Sequence, residues 1–374
     1  MKNSVSNNYA VIMAGGRGER FWPQSRISHP KQLLRLLGNL TLIEQTVKRL
    51  GKQTIVPLKN ILIMTNSDYV VPMQTLLKNI PKENIIGEIE CKDTAPCIAL
   101  ATAIIKKRTK NFDDAAMVVL PSDQVIKDKV SLQNSLKDSI AMARLHKQMV
   151  TIGVKPTFPS TGYGYIQCIH DKELKIDFDH SNDSHFYKGI KFIEKPNLKK
   201  ANKYLKSDDF RWNSGIFIWS LTTIEENFAK FTPQLKLFID LIAESKENIE
   251  KNVKKYYPEL NKISIDYAIM ENIRDFIVIE CTFDWDDVGS WTALENQIRP
   301  GVDHNFVKGS FESINSYDNI IITEENHLVA TIGINDTIIV HTHDATLVCS
   351  KESAQLVKDL VHKLADNDKM KKFL

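Results

Sequence analysis

Along the first three-quarters of the chain, short and almost wholly apolar runs alternate with amphipathic ones. Residues 9–14, 61–65, 116–120 and 151–154 are runs of the first kind, and the first and third are closed by Gly15 and by Pro121-Ser122-Asp123. Runs that are apolar at consecutive positions, not at every second one, predict strands of a sheet covered on both faces. Between them, Thr41 and Glu44 form a capping-box pattern that predicts a helix with Ile43, Val47 and Leu50 on one face. A second helix is predicted from Thr94 or Ala95, with Pro96 in its first turn and Ile98, Ala101 and Ile105 in helical period. Strand and helix in alternation predict parallel βαβ units, an α/β class. In such sheets ligands bind beyond the carboxyl ends of the strands, where Gly15 and Asp123 fall.

From about residue 160 the texture changes. Candidate strands at 163–169, 190–194 and 212–219 are richer in turns and aromatics, as expected of an insertion that walls a cleft. Helices are predicted near 222–231, 234–244 and 265–274, then a strand at 276–281 and a turn at 284–290. Beyond Pro300, short β runs centre on Ile321, Ala330, Ile339 and Leu347, and a helix carrying Leu356, Val357, Leu360, Val361 and Leu364 follows. Their regular spacing predicts a small β module with the look of a short solenoid. The expected division is 1–298, with the insertion at about 155–235, and 299–374. No Pro- or Ser-rich linker separates the two.

Composition narrows the classes. A length of 374 residues suits two or three domains at roughly 150 residues each. A net charge of +3 is too small to argue for nucleic acid or an anionic membrane as partner. With 43% hydrophobic and 25% charged residues, wholesale disorder is excluded. No apolar run approaches the ~20 residues of a membrane span, and residues 1–8 lack the apolar core of a secretory signal. Five cysteines with no C-x-x-C pair fit a reduced, cytoplasmic setting.

The densest chemistry lies after the first strand. Gly15, Gly16 and Gly18 let backbone approach a phosphate closely, and Arg17, Arg20, Arg26 and Lys31 add positive charge. A Walker A loop would need Lys-Ser/Thr after Gly18, where Glu19-Arg20 stands. The dinucleotide fingerprint would need glycine where Phe21 stands.

The elements Gly15, Gly16, Gly18, Arg20, Pro23, Pro30 and Lys31 resemble the signature of the sugar-1-phosphate nucleotidyltransferases. The versions Phe21-Trp22-Pro23 and Pro30-Lys31-Gln32 resemble its mannose 1-phosphate branch. The resemblance covers nearly the whole chain. It implies a Rossmann-like, mostly parallel sheet with helices on both faces and a short β-helix-like C-terminal module. It also implies transfer of GMP from GTP to mannose 1-phosphate, giving GDP-mannose and pyrophosphate. Two other readings stay open: a different hexose 1-phosphate or base, and a non-catalytic binder of nucleotide sugar.

Residue roles follow from the same resemblance. The loop backbone at Ala14, Gly15, Gly16 and Gly18 holds the nucleotide, assisted by Arg17, while Arg20 and Lys31 act on its phosphates. The segment from Lys92 to Ala99 is similar to the family's Asn-Thr-Ala-Pro beside the base, with Asp93 in the Asn position and Thr94 after it. A carboxylate there suits guanine, whose N1–H and exocyclic amine both donate. Asp93 and Thr94 would equally serve as a helix cap. Asp123, in Leu-Pro-Ser-Asp, and Asp287, in Trp285-Asp-Asp-Val-Gly-Ser-Trp291, map to the pair that binds Mg²⁺. Asp286 is left as a supporting or solvated neighbour, and Gln124 stands where the family more often has His. Gly164, Glu194, Lys195 and Asn213 map to the sugar side. The C-terminal module implies a homodimer. The isomerase domain of bifunctional relatives is not expected. His341 and His343 lack a third ligand nearby and are not expected to bind metal.

Overall fold

The computed structural model describes residues 5–51, 54–246, 248–324 and 326–374. The chain forms two compact units that interleave in sequence. The first comprises Met1–Gly15, Thr46–Ser122 and Ile126–Trp285. The second comprises Gly16–Gln45, Asp123–Val125 and Asp286–Leu374.

In the first unit the described residues build a nine-stranded sheet. Its strands are β1 (Asn8–Ala14), β2 (Ile61–Asn66), β3 (Ile85–Glu88), β4 (Ala116–Pro121), β5 (Val150–Val154), β6 (Tyr165–Glu173), β7 (Phe186–Ile193), β8 (Phe210–Ser220) and β9 (Phe276–Glu280). Their spatial order is β3-β2-β1-β4-β8-β5-β9-β7-β6. The four strands β1 to β4 are mutually parallel, as is the pair β5 and β9. Pairings made by β6, β7 and β8 are antiparallel. The expected mostly parallel arrangement therefore holds where helical crossovers join the strands. It gives way in the insertion, where β6 and β7 follow one another without a helix and can pair antiparallel directly.

Helices α1 (Leu42–Arg49), α2 (Val70–Leu76), α3 (Thr94–Arg108), α4 (Lys129–His146), α5 (Leu198–Leu205), α6 (Leu221–Phe231), α7 (Pro233–Glu244) and α8 (Ile249–Tyr256) connect the strands. Every residue of α3 from Ala95 to Ile105 is buried, so its apolar positions do not stop at one face. Its side chains, with those of α6 and α7, make one core with Val11, Met117, Phe217 and Trp219 of the sheet. Helix α4 is an addition to the elements expected from the pattern. Its Leu132, Leu136, Ile140 and Ala143 are buried at helical spacing, and Asp128 caps its first turn through the amides of Val130 and Ser131. Residues 265–274, predicted as an α-helix, contain instead a π-helical turn at Asp266–Met270.

In the second unit, β10 (Phe306–Lys308), β12 (Ile320–Ile322) and β14 (Thr337–His341) stack in parallel, with β15 (Thr346–Ser350) antiparallel on β14. Strands β11 (Ser310–Ile314) and β13 (Leu328–Ile332) form a separate parallel pair. Parallel rungs of this kind are coils of a solenoid. Buried Asn319 ties two of them, donating to Asn305 Oδ1 at 3.0 Å and to the Ile334 carbonyl at 2.8 Å. Helix α9 (Val357–Ala365) closes the module. The core of this unit joins Phe21, Trp22, Leu34 and Leu36 to Trp291, Leu294, Ile320, Ile338, Val340 and Val357. The glycine-rich segment after β1 thus packs on the C-terminal β module, with which it shares no proximity in sequence.

Among the described residues no helix is long and apolar enough to cross a membrane, and no cluster of three or more His, Cys, Asp or Glu suits a metal.

Candidate active site

In the second unit the chain after Gly15 folds back on itself. Gly18 is left-handed (φ 66°), and its carbonyl accepts from the Phe21 amide at 2.9 Å and from Ser25 Oγ at 2.8 Å. A Cβ at Gly18 would lie 2.1 Å from Lys31 Cβ. Glycine is required there twice, by backbone angle and by space. Lys31 is 4% exposed. Its ammonium lies 5.3 Å from the Phe21 ring centroid and donates to Asp123 Oδ2 at 2.8 Å and to the Asp287 carbonyl at 3.1 Å. The loops carrying the two aspartates are paired, with Val125 and Asp286 exchanging backbone hydrogen bonds at 2.9 and 3.0 Å.

Burial pushes the Asp287 carboxyl above the usual carboxylate range. Lys31 and Arg20 oppose that shift, while Asp123 and Asp286 add to it. Asp286 is half-buried and bound: it accepts from the Val288 amide at 2.7 Å and from the side-chain amides of Asn296 and Gln297. This grip holds buried Val288 at φ 45°, a strained angle for a β-branched residue, one position from Asp287. Gly16, Arg17 and Arg20 of the same loop are exposed, in contrast to the buried lysine. Arg26 is bound to Asp344 at 2.6 Å, and Trp22 Nε1 donates to the Phe373 carbonyl at 2.8 Å, so the C-terminal segment braces the loop.

The first unit holds the other predicted residues. Asn213 sits in a β-bulge of β8, where the register against β5 shifts between Thr151 and Gly153. Its Oδ1 accepts from the Gly215 amide at 3.1 Å, and Gly215 is left-handed. Its own amide donates to the Gly164 carbonyl at 2.8 Å. A Cβ at Gly164 would stand 2.6 Å from Glu194 Oε2, so glycine there makes room for that carboxylate. Glu194 pairs with Lys195 Nζ at 2.9 Å; the Glu194 side chain is 9% exposed and that of Lys195 59%. Burial alone would lower the Lys195 ammonium, but its hydrogen bond and charge pairing with Glu194 carry it above its ordinary value.

Three residues of this unit escape a reading of the sequence. Asp266 accepts from Asn213 Nδ2 at 3.3 Å, and burial together with the Glu194 charge pushes its carboxyl up to about 7. Glu271 accepts from the Glu194 amide at 3.0 Å. Glu88, 8% exposed, lies 3.4 Å from where a Cβ of Gly15 would be and is hydrogen-bonded to Tyr257 and Cys97. Burial lifts it to about 7. Asp266 and Glu271, at the ends of a short helix, read as ordinary end residues, so one sequence holds no signal that they contact Asn213 and Glu194.

Asp93 takes the capping role: it is left-handed (φ 72°) and its Oδ1 accepts from the Thr94 amide at 2.8 Å. Thr94 Oγ1 accepts from the Ile265 amide at 2.8 Å, and the Ala95 amide donates to the Ile263 carbonyl. The 92–95 segment is thereby joined to the stretch that leads into Asp266. Ala14 ends β1, and its carbonyl accepts from Thr65 Oγ1 at 2.9 Å.

Residues 9–299 match the Nucleotidyl transferase family, and residues 313–364 match the MannoseP isomerase/GMP-like beta-helix domain. A mannose-1-phosphate guanylyltransferase of Escherichia coli is 34% identical over 95% of this chain and 75% of its own length. One from Klebsiella pneumoniae is 34% identical over 96% and 74%. The chain resembles a Thermus thermophilus structure described as mannose-1-phosphate geranyltransferase, with a TM-score of 0.82 at 29% identity. That match covers 96% of this chain and 99% of the other. It is also similar to a Helicobacter pylori structure described as mannose-6-phosphate isomerase, with a TM-score of 0.58 at 26% identity over 75% of this chain and 99% of the other. Nucleotidyl transferases typically work with a divalent metal. With its glycine-rich loop, its lysine set on two aspartate loops and a solenoid module behind them, this chain belongs to the mannose-1-phosphate guanylyltransferase family of nucleotidyl transferases.

Proposed function

We propose that the protein transfers GMP from GTP to mannose 1-phosphate, releasing GDP-mannose and pyrophosphate. The observation that carries this reading is the buried Lys31 ammonium held between Asp123 and the Asp287 backbone, on the loop that exposes Arg17 and Arg20. A phosphate oxygen of the sugar attacks the α-phosphorus in line, and the bond from that phosphorus to the pyrophosphate oxygen breaks. The monoester is mostly dianionic near neutrality (second pKa ~6), so no general base is needed. The barrier is electrostatic and positional. Arg20 and Lys31 stabilise charge on the departing pyrophosphate, Arg17 and the amides of Gly16 and Gly18 cradle the phosphates, and Lys195 neutralises the incoming one.

The aspartate pair fits Mg²⁺. Two carboxyls on adjacent loops, one raising the pKa of the other, share the charge of Lys31. No third acidic or imidazole ligand joins them among the described residues, which leaves places for phosphate and water oxygens, as Mg²⁺ prefers. When bound, the ion would neutralise charge on the reacting phosphates. Glu194, Asn213 and the Gly164 turn take the hexose. Asp93 and Thr94, with Ala14 and Gly15, take the nucleoside, and buried Glu88 beside Gly15 offers a second acceptor for the donor edge of guanine. Residues 1–298 serve as the catalytic domain, with the insertion at 155–235 for the sugar. Residues 299–374 support a homodimer, in the cytoplasm, with neither nucleic acid nor membrane as partner. Pyrophosphate release on mixing GTP, Mg²⁺ and mannose 1-phosphate tests the reading, and a substrate panel with ATP and other hexose 1-phosphates tests its alternatives.

A further inference from the structure

The π-helical turn at Asp266–Met270 has a consequence for the sugar side of the site. The Glu271 amide donates to the Asp266 carbonyl at 2.9 Å, the five-residue step of a π-turn. In an α-helix, residues five apart face different directions; the wider turn brings them closer to one side. Here both ends of the turn reach the hexose residues: Asp266 takes the Asn213 amide at 3.3 Å, and Glu271 takes the Glu194 amide at 3.0 Å. Asn213 is itself fixed by the bulge, through Gly215 and Gly164.

We infer that Asp266 is a specificity-determining residue, which accepts a hydrogen bond from a ring hydroxyl of the sugar 1-phosphate alongside Glu194. The inference rests on the transferase reading above and extends it. Its physical basis is two carboxyls set beside one another at the residues read as the sugar side. Asp266 and Glu194 lie closely enough for the charge of one to act on the other, and the Lys195 ammonium, which acts on both, is bonded to Glu194. Asp266 accepts from the Ser264 hydroxyl and from its own backbone amide, and the Asn213 side-chain amide reaches it at a long 3.3 Å. A polyhydroxylated ring brings a further donor, and an analogue lacking the relevant hydroxyl would leave the Asp266 carboxyl one partner short. Groups that hold like charges together at a cost in stability are characteristic of binding sites.

The test pairs one residue with one hydroxyl. Pyrophosphate release is measured for wild type, Asp266→Asn and Asp266→Glu with GTP and with mannose 1-phosphate or its 2-, 3-, 4- and 6-deoxy analogues. Wild type is expected to disfavour one deoxy analogue by ~10-fold or more in kcat/KM. Asp266→Asn should abolish the preference at that position alone while leaving the KM for GTP unchanged. Melting of the ligand-free Asp266→Asn variant should occur at the wild-type temperature or above it, since a like charge beside Glu194 is removed. A uniform loss across all analogues, an unchanged profile, or a marked fall in melting temperature with the deoxy profile retained would make Asp266 a structural residue and overturn the inference. Wild-type silence on mannose 1-phosphate would overturn the transferase reading itself, a result distinct from an active enzyme with a flat profile.

Discussion

The Lys31 ammonium lies 2.8 Å from Asp123 Oδ2, although 91 residues intervene between the two. The contact joins the glycine-rich loop to one of the two aspartate loops, and the Asp287 carbonyl at 3.1 Å joins it to the other. Lys31→Ala removes a buried cation from beside both aspartate loops. Turnover should fall on the order of 10²-fold or more, as when other electrostatic contacts to a transition state are lost. Pyrophosphate release under saturating substrates measures it, and near-normal turnover in a folded variant would remove Lys31 from the reaction.

Gly18→Ala should be as damaging as loss of the lysine. The new methyl meets Lys31 Cβ and the backbone must leave its left-handed angle, so the lysine is displaced from Asp123. Gly16→Ala is the contrast: nothing lies within 4 Å of a Cβ there, so Lys31 keeps its place and the cost falls on the KM for GTP, whose phosphates that loop receives. Comparing the turnover of the two variants decides whether the loop acts by close packing on Lys31.

Gly164→Ala and Glu194→Ala should raise the KM for mannose 1-phosphate and leave that for GTP unchanged. The first crowds the Glu194 carboxylate, 2.6 Å from the added carbon, and the second deletes it. A change confined to GTP affinity would refute the sugar assignment. Asp93→Ala should lower the preference for GTP over ATP; an unchanged ratio leaves Asp93 with helix capping alone.

Stability should fall as pH rises across neutrality. Burial carries Glu88 from 4.5 to about 7, and Asp266 from 3.8 to about 7. Between those values the folded state binds more protons than the unfolded one. Each group therefore stabilises fully below its unfolded value, and that stabilisation is lost as pH rises through about 7. Melting of the ligand-free protein should be higher at pH 6 than at pH 8. Glu88→Gln, which keeps a partner for Tyr257, should narrow the gap, and an equal gap in wild type and variant would contradict the shift.

Much of the fold is written locally. The strands at β1, β2, β4 and β5 follow from unbroken apolar runs, and the loop residues from glycines and cations packed into one short stretch. Three features are not local. The antiparallel course of β8 between β4 and β5 depends on which neighbour the insertion leaves exposed. The packing of Phe21 and Trp22 on Ile320 and Val340 joins segments about 300 residues apart. Asp266 and Glu271 both reach the Asn213 and Glu194 segments across a π-helical turn, a departure that the apolar period of residues 265–274 does not encode.

The most direct test mixes purified protein with GTP, Mg²⁺ and mannose 1-phosphate and follows pyrophosphate, with Lys31→Ala and Asp287→Ala in parallel. Stoichiometric pyrophosphate and GDP-mannose from wild type, with both variants slowed on the order of 10²-fold, is the predicted result. Equal rates in all three folded proteins, or no pyrophosphate from wild type, would contradict it.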